Sequence, residues 1–572
     1  MLLQKLSGFA RWALRPESPD KPGHLWPRWL FLRALGLIFF SAFYSLYFQI
    51  VGLIGPEGIL PARHYLENLS HQVGWTRFWY APSFLWLANG PVALKLLCWA
   101  GLIASVLVFL NVWPRLATAF CLVAYLSFVT TAQDFSSYQS DGMLLAAGFI
   151  SLFFAPPGFL PGLAKKHPPS HASLFLLQWL WFRIYFESGI VKLASGDPQW
   201  RHLTSLYQYY SNGPLPDWIG WYAQHLPHAF NAALALVTLV IELGLVWLFF
   251  LPRRLRLLCF FIVTPFQIGI ILTANLAFLN YFVLSLGILL LDDRFLRQAS
   301  KGFGLPLTKT KPAGPVRRLV ARWWSEAGAA EMPPFATSAP STLPSIAAQT
   351  VDFRTRPARP TLRAAIGEAC HHVSRVVTGL CLGWVFCVDT ALLILLLLPW
   401  LPLPTTPIEL LEPFRIANQY GLFAVMTPAR YEIEFQGSRD GVTWTPYPFR
   451  YKPQDVRKAP QIFAPYQPRF DWNLWFASLG NWRQYPFVLR TQALLLTNDP
   501  SVLALFAGNP FGHVPPRFVR SVVWQYWFTS LKTLQTTGCW WKRKFVGLYA
   551  PVLYRLPNGR IGIEHLPGET DQ

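Results

Sequence analysis

Charge is scarce in this chain. Asp, Glu, Lys and Arg make up only 13% of its 572 residues, about half the share typical of soluble domains. A soluble fold of this size is therefore excluded for most of the sequence. Cysteine is sparse too. Six of the seven (Cys98, Cys121, Cys259, Cys370, Cys381, Cys387) fall in or beside apolar runs, which leaves Cys539 alone in the C-terminal region. A disulfide framework is excluded there, and no Cys-x-x-Cys pair suggests a redox or zinc site. His202, His225 and His228 lack metal spacing, so no metal is expected. A Gly-x-Ser-x-Gly elbow, a phosphate loop and a Gly-x-Gly-x-x-Gly turn are all missing in any usable context. The first 28 residues are polar, Pro-rich and basic and do not read as a cleavable signal peptide. Insertion is expected to start from the first spanning helix.

What the chain has is apolar length. Hydrophobic residues make up 53%, with 26 Trp and 45 Phe. Runs of spanning length occur at about 29–54, 90–112, 115–132, 173–193, 229–251, 256–275 and 376–402. Shorter runs at 142–155 and 278–291 fit inside a bundle, giving about nine spans. The net charge of +21 suggests nucleic acid at first sight, but its placement argues otherwise. Alternate loops carry 24 Lys and Arg, whereas the opposite loops carry only Arg63, Arg77 and Arg201. Nine spans with a cytosolic N-terminus satisfy the positive-inside rule at every loop. Residues 403–572 are then outside the cytosol, and membrane lipids rather than nucleic acid are the expected partners.

Ionisable residues inside these runs need partners, because each costs roughly 2.5–3.5 kcal/mol on insertion scales. Arg183, Glu187 and Lys192 lie in one run, followed by Asp197 and Trp200, and Glu242 lies mid-run in a later one. Arg183 and Glu187 are four apart on one helical face and can pair. By depth, Arg183–Glu242 pairing is equally open. Lys192, about 140° round the helix from Glu187, either faces a cavity or reaches water at the outer mouth. Gln267 and Asp389 read as packing hydrogen bonders. Asp134 and Asp141, at the outer end of two spans, form an acid–base or cation-binding pair on one reading, and Asp141 caps a helix on the other. The aromatic stretch 200–228 reads as an interfacial cap over the bundle.

Five segments follow. Residues 1–297 form an N-terminal helical bundle and 298–372 a disordered, basic, cytosolic linker, in which Trp323-Trp324 can anchor a short interfacial helix. The last span is 373–403, an extracytoplasmic domain covers 404–557, and 558–572 is a tail. In that domain, Tyr431–Phe435 alternates at strand period, Gly437–Gly441 supplies a turn, and Val442–Tyr447 returns. Residues 517–528 and 545–549 also read as strands, and those from Trp472 and from Phe487 as helices. The expected fold is a β-sandwich-like α+β domain behind a polytopic helical bundle. Arg469, Asp471, Trp472, Trp475 and Phe476 concentrate the residue types of interface hot spots and are the candidate client-binding surface. The alternative for Trp472 and Trp475, three apart, is the buried face of their own helix.

The strings FESGIVKLASGDPQW and GPLPDWIGWYAQHLP within 181–228, Gly52–Pro61 (GLIGPEGILP) and YQSDGMLLAAGFISLFFAP at 138–156 resemble the lipase maturation factor family. So do IANQYGLFAVMT, EFQGSRDGVTW, FRYKP and APYQPRFDWNLWFASLG further on. The resemblance implies a non-enzymatic polytopic membrane protein that assists folding and assembly of secreted, lipase-like clients in the endoplasmic reticulum. It also implies an extracytoplasmic domain that binds the client. In a bacterium the corresponding location is the inner membrane. More distantly, Tyr185, Gly189, Lys192, Leu193 and Trp200 are similar to a pattern of the vitamin K-dependent carboxylase-like membrane superfamily, in which the lysine is tied to quinone chemistry. That likeness implies an alternative: an enzyme acting on a quinone or lipid through Lys192 and Glu187. No cofactor is expected, although the bundle leaves room for a bound lipid or quinone.

Overall fold

The computed structural model describes residues 13–17, 23–136, 138–302 and 362–567, with side chains from residue 373 onward in the last stretch. A helix stands at each of the nine expected positions. They are α1 (Leu25–Ile54), α2 (Pro91–Leu110), α3 (Pro114–Val129), α4 (Gln139–Phe154), α5 (His171–Ala194), α6 (His228–Leu243), α7 (Arg253–Thr273), α8 (Leu279–Gly287) and α9 (Leu362–Leu397). Among the described residues, five helical stretches are long and apolar enough to cross a membrane: α1, α2, α6 with its 3-10 extension to Phe250, α7, and Val373–Leu397 of α9. Local chemistry sets the ends. Pro91 and Pro114 open α2 and α3 at the first turn, where a missing N–H is harmless. Asn111 closes α2 in the left-handed region at φ 62°. The Ser170 hydroxyl accepts from the Ser173 amide and starts α5.

The described residues up to Asp293 and from Thr378 onward form one compact unit, and those between belong to a second. In the second unit the described residues are helical, the end of Asp293–Gly302 and the start of α9. The helix α9 therefore begins inside the segment expected to be linker. The remainder of that segment, with Trp323 and Trp324, lies outside the described residues.

The C-terminal region is built on one antiparallel sheet, of order β2-β1-β3-β4-β5. Its strands are β1 (Arg430–Ser438), β2 (Thr445–Pro446), β3 (Phe518–Phe528), β4 (Trp541–Arg555) and β5 (Ile561–His565). The sandwich expectation is corrected: α10 (Arg469–Ala477) and α11 (Pro486–Leu496), not a second sheet, supply the opposing layer. Ile433 and Phe435 of β1 are fully buried, with Phe435 stacked on Phe470 at 6.4 Å. Where β3 and β4 slip register near Val519, Gln492 of α11 donates to the Val519 and Pro551 carbonyls and accepts from Ser521. One buried amide thus satisfies groups that the bulge releases from the ladder. The expected tail is also corrected, because residues 561–565 pair with β4 as β5.

Candidate functional site

The chain leaving α9 has no regular structure between Asn418 and Ala429, so its backbone N–H and C=O groups have no ladder. Buried groups of that kind must find other partners. The polar residues of α5 supply them. The Arg183 guanidinium donates to the Asn418 carbonyl at 2.7 Å, and Glu187 accepts from the Tyr420 amide at 2.6 Å. Ser188 accepts from the Leu422 amide at 3.3 Å, and Lys192 donates to the Leu422 carbonyl at 3.0 Å. Just past the helix, Ser195 donates to the Ala424 carbonyl at 2.8 Å, and Asp197 accepts from the Met426 amide at 2.6 Å. The Trp200 indole donates to the Phe423 carbonyl at 3.0 Å.

From Arg183 to Asp197 the order runs the same way in both segments; Trp200 alone reaches back, to Phe423. From Arg183 to Lys192 a helix rises about 13.5 Å. The four steps from Asn418 to Leu422 can reach about 13 Å when extended. One helical turn of α5 therefore serves every second residue of the segment. Gln139 of α4 holds an intervening position, accepting from the Gly421 amide at 3.0 Å.

The charges balance around this ladder. Arg183 pairs with Glu187 at 2.6 Å and with Asp389 of α9, and both of its carboxylate partners are almost fully buried. Lys192 pairs with Glu242 at 2.8 Å. Two open alternatives are decided here and one expectation is corrected. Glu242 partners Lys192, not Arg183. Lys192 is 2% exposed and does not reach water at the mouth. Asp389 is an ion-pair partner, not a neutral packing residue. Loop charges and depth along one helix cannot say which later helix lies beside α5.

A second lock joins α10 to the bundle. Arg469 donates to both oxygens of Asp141 at 2.8 and 2.9 Å, to the Tyr125 hydroxyl at 2.9 Å and to the Phe135 carbonyl at 2.6 Å. Burial alone pulls the Arg469 pKa down, and the Asp141 carboxylate more than reverses this, so the guanidinium stays charged. Asp141 occupies the first turn of α4 but spends its carboxylate on Arg469 and Tyr125, which replaces the expected capping role. Asp134 sits partly buried in the preceding 3-10 turn, Gln133–Ser136.

The remainder of α10 is interior. Trp472 and Trp475 are 7% and 9% exposed. The Trp475 indole donates to the Asn212 carbonyl at 2.9 Å, and Tyr138 of the bundle packs against both Trp472 and Phe476. Burial pushes the Asp471 carboxyl up to about 6, against the pull of Lys452 and the amides of Lys452 and Tyr451. The expected exposed client surface is thus corrected, since these side chains weld the sheet region to the bundle.

The aromatic stretch 200–228 is a further joint. Arg430 donates to the Ser211, Gly213 and Pro214 carbonyls. His225 contacts the Trp221 and Thr529 carbonyls at 2.7 and 2.9 Å, and Trp221 packs among Tyr526, Phe528 and Trp541. Asn275 follows the same pattern, accepting from the Phe463 and Ala464 amides and donating to the Gln461 carbonyl. Sequence reasoning missed Asn275, Asn418 and Arg430. A polar residue bounding an apolar run, opposite a segment with no strand period, is the signal that could have found them.

Asp197 has two tasks, since its other oxygen accepts from Gln199 and caps the short helix Pro198–Arg201. Asp197→Ala is expected to cost about 1–2 kcal/mol through the lost cap and the stranded Met426 amide. Asp197→Asn, which keeps one of the two acceptors, should cost less. Melting temperatures of the two variants in one detergent check the order.

Comparison with known proteins covers both regions. Residues 26–298 match the family profile described as lipase maturation factor transmembrane domain, and residues 416–551 match lipase maturation factor C-terminal domain. The chain is 32% identical to human lipase maturation factor 2, over 92% of this chain and 82% of that protein. It is 30% identical to mouse lipase maturation factor 1, over 95% and 90% respectively. No solved structure matches. The second matched region begins at Ile416, two residues before the rung that Arg183 holds.

Proposed function

Because this chain belongs to the lipase maturation factor family, we propose that it is a membrane-anchored maturation factor assisting the folding and assembly of a secreted, lipase-like client. The observation that carries this reading is the joint itself. Both family regions are fused through buried polar contacts, so the sheet region is presented on a rigid base and not on a tether. The opposed reading, an enzyme using Lys192 and Glu187, finds less support: protein groups already engage the Lys192 ammonium and both Glu187 oxygens.

The one-sided distribution of 24 against 3 loop cations supports nine spans, a cytosolic N-terminus and a C-terminal region outside the cytosol. In a eukaryote that places the sheet in the lumen of the endoplasmic reticulum, and in a bacterium in the periplasm. The segment divisions given above follow that topology, with β5 added to the outer domain.

With α10 buried, client recognition moves to the first half of β4. Lys542, Arg543, Lys544, Phe545 and Val546 are all exposed, Phe545 and Val546 to about half. β5 pairs only with residues 552–555, so among the described residues the outer edge of this stretch has no strand partner. An open edge carrying aromatics and cations can accept an extended client segment by strand addition.

Phe545→Ala combined with Val546→Asp is expected to lower secretion of active, co-expressed lipase several-fold while leaving the factor's own yield and melting temperature unchanged. Unchanged lipase activity with a folded double variant would remove this surface from the account.

A further inference from the structure

A cavity of about 360 Å³ lies inside the bundle, between α5, α6, α7 and α8. Its size falls within the roughly 300–1,000 Å³ range of small-molecule sites. The wall is mainly apolar and includes Phe230, Leu234, Val237 and Ile270. Phe230 and Val237 are 49% and 44% exposed, so the cavity is open along α6, one of the helices apolar enough to cross a membrane. A ligand entering there comes from the lipid.

The inner end is polar. Gln267 and Asn280 line it and are 5% and 6% exposed. Gln267 spends its amide nitrogen on the Tyr185 hydroxyl at 2.7 Å. Among the described residues its carbonyl oxygen has no hydrogen-bond partner, and neither does the Asn280 amide nitrogen. The residues lining the cavity therefore include one free acceptor and one free donor, both buried, where an unmet group is costly. Lys192 and Glu242 also line it, but they neutralise each other at 2.8 Å. An anionic ligand would have to break that pair and strand a buried carboxylate.

These requirements select among lipids. A quinone carries only acceptors, so while Gln267 donates to Tyr185 it leaves the Gln267 oxygen unserved. A fatty acid anion meets the wrong electrostatics. We propose that this cavity is a binding site for a neutral glycerolipid with a free hydroxyl, a mono- or diacylglycerol. Its hydroxyl donates to Gln267, its ester carbonyl accepts from Asn280, and its acyl chain lies along Phe230, Leu234 and Val237 and out into the bilayer.

The test uses the full chain in nanodiscs with a monoacylglycerol carrying a photoactivatable diazirine on its acyl chain, followed by mapping of the labelled peptides. Labelling is expected to concentrate in residues 228–243 and 253–273. Excess unlabelled monoacylglycerol should suppress it at least ten-fold, while equal amounts of oleate or a short-chain benzoquinone should leave it nearly unchanged. Val237→Trp, which fills the apolar arm without touching the polar end, should abolish the competable fraction. Asn280→Leu should weaken competition about ten-fold. Labelling spread over all outer faces and insensitive to competitor would overturn the proposal. So would equal competition by the quinone or the fatty acid. The competition experiment uses the parent chain, so it stands even if a variant fails to fold.

Discussion

Arg183→Ala is expected to collapse the yield of folded protein. The guanidinium is completely buried and holds Glu187, Asp389 and the Asn418 carbonyl at once. Removing it strands two carboxylates in a low-dielectric interior, where breaking even one buried pair costs about 3–5 kcal/mol. Whole domains are stable by only about 5–15 kcal/mol. The variant should therefore lose most of its monodisperse peak on size exclusion. The combination Arg183→Met, Glu187→Gln, Asp389→Asn removes the charges together, keeps an acceptor for the Tyr420 amide, and should recover much of the peak. An Arg183→Ala variant that expresses and melts like the parent would show that this charge is not buried with its partners.

The second large effect belongs to Arg469. Arg469→Ala leaves Asp141 without its cation and the Phe135 carbonyl without its donor inside the joint, at a cost again of about 3–5 kcal/mol. The loss should be local. The sheet region should become sensitive to protease while α1 to α3 stay protected, because α10 no longer grips α4. Asp141→Asn keeps the shape and one acceptor and should be milder than Asp141→Ala. In a double-mutant cycle the two sites should couple by more than about 1 kcal/mol, the sign of direct contact. Additive effects, with the sheet as protease-resistant as in the parent, would remove the lock.

Much of the fold was readable from the chain. Each apolar run holds a helix, five of them long and apolar enough to cross a membrane, because apolar length and flanking Pro, Gly and Asn are local signals. The end of α6 and the start of α9 were misplaced by about eight and fourteen residues. The strands at 431–435 and 517–528 followed from alternation. The returning strand at 442–447 shrank to Thr445–Pro446, since Pro446 cannot extend a ladder. The sandwich failed for a different reason. Period 2 reports that one face of a strand is buried, but not whether a sheet or a pair of helices covers it.

The site was legible in its residues and not in its pairings. Arg183, Glu187, Lys192, Asp197 and Trp200 stood out as charges and aromatics that an apolar helix must justify, and all five contact the segment 418–427. That segment lies about 230 residues away, and no local pattern shows that its bare backbone needs partners. The same blindness left Lys192 undecided between a cavity and the outer mouth; its buried pair with Glu242 puts Lys192→Ala in the class of costly substitutions. It also left Trp472 and Trp475 open between a client surface and a buried helix face, since hot-spot composition and core composition are nearly the same list of residues.

The central claim is that polar residues of α5 stand in for a missing backbone ladder. Amide hydrogen exchange over residues 418–427 measures this directly. Tyr420, Leu422 and Met426 donate to Glu187, Ser188 and Asp197, so their amides should exchange as slowly as those of the neighbouring helices despite lying in an irregular segment. In the Asp197→Ala variant Met426 alone should lose most of its protection. Exchange of all three amides at the rate of an open loop in the parent protein would contradict the account.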